Sequence, residues 1–153
     1  MALQNPNAAN AKKDGLGEII LEVKKEKSVA SKIKILQQCD SRELRGIFEL
    51  AYDNRIKWAL PEGNPPYKPL DKSMDAQGTL HTEMRRMYVF LEGKANVTQA
   101  RREQMFVQIL ETVDPDDAAL LVQVKDGKIK GCSKKTVKMA FADFLNEAEN
   151  QDV

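Results

Sequence analysis

From Lys125 to Phe141 the chain reads KDGKIKGCSKKTVKMAF, which sets six lysines against one aspartate. Across all 153 residues, 24 Lys plus Arg meet 23 Asp plus Glu, so the excess is a local segregation of charge and not a global bias. Lys128, Lys130 and Gly131 lead into Ser133, a residue type that caps helix starts, and Lys134 and Lys135 then open the predicted helix. Free amides at a helix start, the positive end of its dipole, a glycine that admits close approach and several lysines together suit a phosphate. The other reading of the same pattern is a solvated helix face. A looser copy, KEKSVASKIKIL, puts Lys27 before Ser28, with Ser31 and Lys32 after it. Two such segments on one rigid domain can straddle the phosphates of a duplex. No exposed aromatic is interleaved with the lysines, so stacking of single-stranded bases is not indicated.

Other chemistry is sparsely signalled. His81 is the single histidine and has no nucleophile beside it in sequence, so a surface or capping role is expected. KKDG, Lys12 to Gly15, formally matches the lysine motif of nucleotidyltransferases, but no strand precedes it and no catalytic domain follows, so it reads as chance. Cys39 and Cys132 have neither the spacing nor the histidine of a zinc site, and two reduced thiols are expected, with no metal and no cofactor. Arg85, Arg86, Arg101 and Arg102 can extend a basic surface, though Glu83, Glu92 and Glu103 offset it.

The elements that must position these residues follow from apolar spacing. Leu16, Ile19, Ile20 and Val23 mark one helix; Val29, Ile33 and Leu36 a second; Leu44, Ile47, Phe48 and Ala51 a third. Ser28 caps the second, and Asp40 with Glu43 forms a capping box ahead of the third. LPEGNPPYKPLDKS is a proline-rich loop. Leu80, Met84, Met87, Tyr88 and Leu91 form a further stripe; Phe106, Ile109, Leu110 and Val113 lie on a helix capped by Thr98; Asp114 and Pro115 start the next. The last helix buries Val137, Phe141 and Phe144. The methionines at 84, 87 and 105 read as core filler. With no long alternating run, the expected fold is all-α: a compact bundle of about seven short helices forming one domain over residues 15–146. A flexible arm (1–14) and an acidic tail (147–153) flank it. No stretch is long and apolar enough to span a membrane, and the N-terminus lacks a signal-peptide core, so a cytoplasmic protein without membrane partners is expected.

SKIKILQQCDSRELRGIFELAYDNRIKWAL, a long loop, then REQMFVQILETVDPDDAALLVQVKDGKIKGCSKKTVKMAF resembles the N-terminal helical DNA-binding domain of ATP-dependent DNA ligases, particularly phage ones. The likeness covers most of Ile19 to Phe144, and its motifs are diffuse. The chain also looks like short stand-alone proteins of large contractile-tailed phages, including those of cyanobacteria. In the ligases this domain grips duplex DNA through helix-start loops while adjoining domains do the chemistry. The resemblance thus implies a non-catalytic module that binds duplex DNA without sequence preference, in the cytoplasm of an infected host cell. By position it assigns the contacts to Lys128, Lys130, Gly131, Ser133, Lys134 and Lys135, and more loosely to Lys27, Ser28, Ser31 and Lys32. The alternative is an adaptor that keeps the fold but binds a host or phage protein, which the near-neutral charge favours.

Overall fold

The computed structural model describes residues 15–71 and 79–142. The expected arm at 1–14, Phe144 and the acidic tail at 147–153 lie outside the described residues. Among these, seven α-helices and one 3-10 helix form an all-α bundle, whose strand content is an isolated antiparallel bridge between Trp58 and Leu91. The α-helices are α1 Leu16–Lys25, α2 Val29–Gln38, α3 Arg42–Tyr52, α4 Leu80–Glu83, α5 Gln99–Thr112, α6 Pro115–Asp126 and α7 Lys134–Ala140, with the 3-10 helix at Met84–Phe90. No helix among the described residues is long and apolar enough to cross a membrane.

Helix α6 is the centre, packed on by α1, α3 and α5. Its sequence PDDAALLVQVKD is apolar on more than one face, and Ala118, Leu120, Leu121, Val122 and Val124 are all buried. A helix contacted from several sides needs that pattern in place of a single stripe. Asp114 caps it by accepting from the Asp116 amide at 2.8 Å, and Pro115 occupies its first position, as the sequence predicts. Asp117 is drawn inward instead: its Oδ1 accepts from the Gly17 amide at 2.7 Å, tying the start of α1 to the start of α6. Burial raises the Asp117 carboxyl above its ordinary pKa, against the opposing pull of the Gly17 amide.

Three expectations are corrected. The cap of α3 is Ser41, which accepts from Leu44 N at 3.0 Å. Asp40 is captured instead by the Arg45 guanidinium at 2.8 and 2.9 Å, so no Asp40–Glu43 capping box forms. The stripe from Leu80 to Leu91 is not one helix: after α4 the chain tightens into the 3-10 helix, burying Met87, Val89 and Phe90 while Tyr88 turns outward. Phe90 stacks edge-on against Phe106 at 5.3 Å, and Phe106 meets Trp58 at 6.4 Å. Val29 is exposed, so the core face of α2 rests on Leu36 with Ile33 at its edge.

Charged side chains also serve the scaffold. Lys125 is buried, and its Nζ donates to Pro61 O at 2.8 Å and Gly63 O at 3.0 Å and pairs with Asp126 at 2.6 Å, pinning the proline-rich loop to α6. Arg102 is buried too, with Nε donating to Val89 O at 3.0 Å and Nη1 to Gln99 Oε1 at 2.7 Å, so it does not extend a basic surface.

Candidate nucleic-acid interface

The connector from α6 to α7 is held in place residue by residue. Gly127 ends α6 with a φ of 76°, the left-handed conformation that suits glycine. Ile129 and Cys132 then point into the core, which throws Lys128 and Lys130 outward between them. The Lys130 amide donates to Gln123 Oε1 at 2.9 Å. Tyr52, at the end of α3, closes the loop: its hydroxyl accepts from Ile129 N at 3.3 Å and donates to Cys132 O at 2.6 Å. Burial pushes the Tyr52 hydroxyl above its usual pKa, and it pushes the Cys132 thiol up to about 12. That thiol is neutral near pH 7 and is no nucleophile. Cys39 and Cys132 are both unbridged.

Gly131 adopts a φ of 81°, and a Cβ there would fall 2.9 Å from Lys24 Cβ and Cγ. Its close approach is therefore to the side chain of Lys24 at the end of α1, which accounts for the glycine without a ligand. On its other side, Lys32 Nζ donates to Gly131 O at 3.0 Å. This bond brings the two lysine-bearing segments, 99 residues apart in sequence, side by side. The Gln37 amide meets Ala140 O at 3.0 Å further along, so α2 and α7 run parallel and their starts lie at the same end.

Ser28 Oγ accepts from Ser31 N at 3.1 Å and donates to Ser31 Oγ at 2.9 Å. Ser133 Oγ accepts from Thr136 N at 3.3 Å and shares a hydrogen bond with Thr136 Oγ1 at 3.1 Å. Both serines cap as predicted, and their hydroxyls are engaged in doing so. Lys27, Lys128, Lys130 and Lys135 are exposed, and Lys32 and Lys134 half-exposed. Among the described residues none of these six is ion-paired, whereas Lys25 pairs with Glu22, Arg86 with Glu83 and Arg55 with Asp53. Burial raises the pKa of Asp53, but hydrogen bonds from Arg55 and the nearby charge of Lys134 hold it below its ordinary value. Part of the Lys134 charge is thus answered by Asp53.

The surface is divided in its finer relief. Lys134, Lys135 and Lys138 line a shallow hollow with Met139, while Lys128 and Lys130 face Asn64, Pro65 and Tyr67 of the proline-rich loop across a cleft. Lys24 is the member of the cluster that sequence reasoning missed. No local signal marks it: positive φ alone does not imply a close neighbour, since Gly63 and Gly93 share that conformation with open space around them.

The profile of a family of unknown function, DUF6433, matches residues 19–131. The chain belongs to that family. No curated protein and no solved structure was found to match it. The DUF6433 match takes in Lys27, Ser28, Ser31, Lys32, Lys128, Lys130 and Gly131, while Ser133, Lys134 and Lys135 follow its end. Tyr52 lies inside the DUF6433 region, and replacing it tests whether the connector is built as described. Tyr52→Phe leaves Ile129 N and Cys132 O without their shared partner, which costs about 1–3 kcal/mol of stability in a urea melt. Exchange of the Ile129 amide should speed up selectively. Unchanged exchange there would mean that the hydroxyl does not hold the connector.

Proposed function

We propose that this protein is a non-catalytic module that binds duplex DNA by its phosphates, without sequence preference, through one lysine surface formed by the starts of α2 and α7 and the connector before α7. The observation that supports the reading is the bond from Lys32 Nζ to Gly131 O, which brings the start of α2 against the connector before α7, with Lys24 packed on the same glycine. Surface lysines without an ion-pair partner can neutralise duplex phosphates, and each such contact releases cations condensed on the DNA, which favours binding. Two parallel helix starts add their positive dipole ends to the same side. The sequence resemblance to ligase DNA-binding domains supports this reading, and the proposal includes that the protein works on phage DNA in the cytoplasm of an infected host cell. Ser28 and Ser133 act in it as caps that fix the helix starts, Ser31 is the residue bonded to the Ser28 cap, and Gly131 is the point on which Lys24 and Lys32 converge.

The test is a salt titration of binding to a short random-sequence duplex. With about three or four phosphate contacts, the binding constant falls with salt at a log–log slope of about 3 to 4, with a dissociation constant on the order of 10⁻⁴ to 10⁻⁶ M near physiological salt. Lys130→Glu with Lys135→Glu abolishes binding while the fold persists, since both side chains are exposed and a glutamate in the first turn of α7 suits the dipole. Lys94→Glu, an exposed change on the loop before α5, is the control and leaves binding within about twofold. A wild-type protein without salt-sensitive affinity, or a double variant that binds as well, removes the reading.

A further inference from the structure

The proline-rich loop makes a second concavity on its other side. Leu60, Pro65 and Pro66 from the loop face Phe106 and Val107 of α5 across a groove of about 640 Å³. The size suits one or two side chains of a bound peptide. Its loop wall is fixed in three places: Lys125 Nζ holds Pro61 O and Gly63 O, Asp126 accepts from Gly63 N at 3.1 Å, and Glu111 Oε2 accepts from Lys68 N at 2.9 Å. A wall pinned by hydrogen bonds and stiffened by prolines keeps the groove open before anything enters, which reduces the ordering cost of binding.

The charges around it are one-sided. Glu62 on the loop and Glu103 on α5 are exposed, and Glu111, which holds the Lys68 amide, also lines the groove. Lys125 is the only cation among the lining residues, and its side chain is 2% exposed and turned into the loop, already bonded to Asp126. The groove therefore presents carboxylates around an apolar floor, on the side of the loop away from the cleft that Lys128 and Lys130 line.

We infer that this groove docks an extended protein segment in which a large apolar side chain is flanked by lysine or arginine. The apolar side chain sits over Val107 between Leu60, Pro65 and Pro66, and the flanking cations reach Glu62 and Glu103. Desolvated apolar contact gives the affinity, and the rim carboxylates select the sign of the partner's charge. The site is independent of the lysine surface, and a partner held here leaves that surface free.

The probe is the peptide acetyl-Lys-Leu-Lys-Leu-Lys-amide, with acetyl-Glu-Leu-Glu-Leu-Glu-amide as its acidic twin, titrated into the full isotope-labelled chain and read by amide chemical shifts. The basic peptide should shift Glu62, Gly63, Gln104, Val107 and Gln108 in a saturable way, and the acidic twin should not. Glu62→Lys with Glu103→Lys, both at exposed positions, should weaken the basic peptide about tenfold, which two rim charge reversals supply. Lys130→Glu with Lys135→Glu should bind the basic peptide as the wild type does, which separates this site from DNA binding. Shifts absent at millimolar peptide, equal for both peptides, located elsewhere, or unaffected by the charge reversal each overturn the assignment.

Discussion

Phe141→Ala lowers the stability of this domain by about 3–5 kcal/mol and its melting temperature by about 6–20 °C. The residue is the C-cap of α7 and lies just outside the helix, yet it is only 3% exposed. Its amide still bonds to Val137 O at 2.9 Å, which keeps the ring on the buried face one turn beyond Val137. The ring packs at 6.3 Å from that of Phe48 in α3, and the Arg45 guanidinium lies 4.7 Å above its centroid while also gripping Asp40. Truncation to alanine removes the aromatic pair, leaves the Arg45 charge over a void and frees the end of α7 from α3. Phe141→Leu refills most of the volume and should recover more than half of the loss. Calorimetry on the two variants checks the claim. A loss below about 1 kcal/mol would mean that α7 does not rest on α3 here, and the placement of Lys134 and Lys135 would fall with it.

How much of this was legible depends on the range of the interaction. Ser28, Thr98, Asp114 and Ser133 were readable as caps because a cap is a contract between a side chain and an amide two or three residues on. At the start of α3 two cap-capable residues stand side by side, and the choice of Ser41 over Asp40 is made by Arg45, which lies a turn further on and competes for the aspartate. The chain from Met84 to Phe90 departs from a 3.6 period because its neighbours ask for adjacent residues to be buried: Ala59 N bonds to Phe90 O at 2.8 Å, Glu92 N to Lys57 O at 2.8 Å, and Phe106 takes the Phe90 ring. No local pattern carries that demand.

The lysines show the same limit more sharply. Lys125, Lys128 and Lys130 are alike in sequence, but the first is buried under two loop carbonyls while the others face water. Their fates separate because α6 ends at Gly127 and the phase of the chain changes there. The lysine stretch itself was visible, as was its weaker copy around Ser28. Their union was not, since it depends on α2 and α7 lying parallel and on Lys32 reaching a carbonyl at the far end of the chain. The acidic groove was hidden for a related reason: Glu62 and Glu103 belong to segments that only the pinned loop brings together.

Gly17→Ala destabilises the protein by about 3 kcal/mol, the reverse of what helix propensity predicts. Gly17 is the second residue of α1, and at an ordinary helical position alanine gains about 1 kcal/mol over glycine. Here a Cβ would lie 2.4 Å from the Asp116 carbonyl carbon, 2.5 Å from its oxygen and 2.7 Å from the Asp117 nitrogen. All three are backbone atoms in the first turn of the central helix α6, so no rotamer change relieves the clash. Helix α1 must lift away instead. That stretches the 2.7 Å bond from Gly17 N to Asp117 and loosens Leu16, Ile19, Ile20 and Val23 against the core. Overpacking costs about 1–3 kcal/mol and loss of a hydrogen bond to a charged group about 1.5–3, which together outweigh the propensity gain. Gly46→Ala is the matched comparison, because its Cβ would meet only the mobile end of Met84 at 3.0 Å. That variant should be neutral or slightly more stable. Urea melts of both decide the matter: if Gly17→Ala is as stable as Gly46→Ala, the starts of α1 and α6 do not touch, and Asp117 is buried for some other reason.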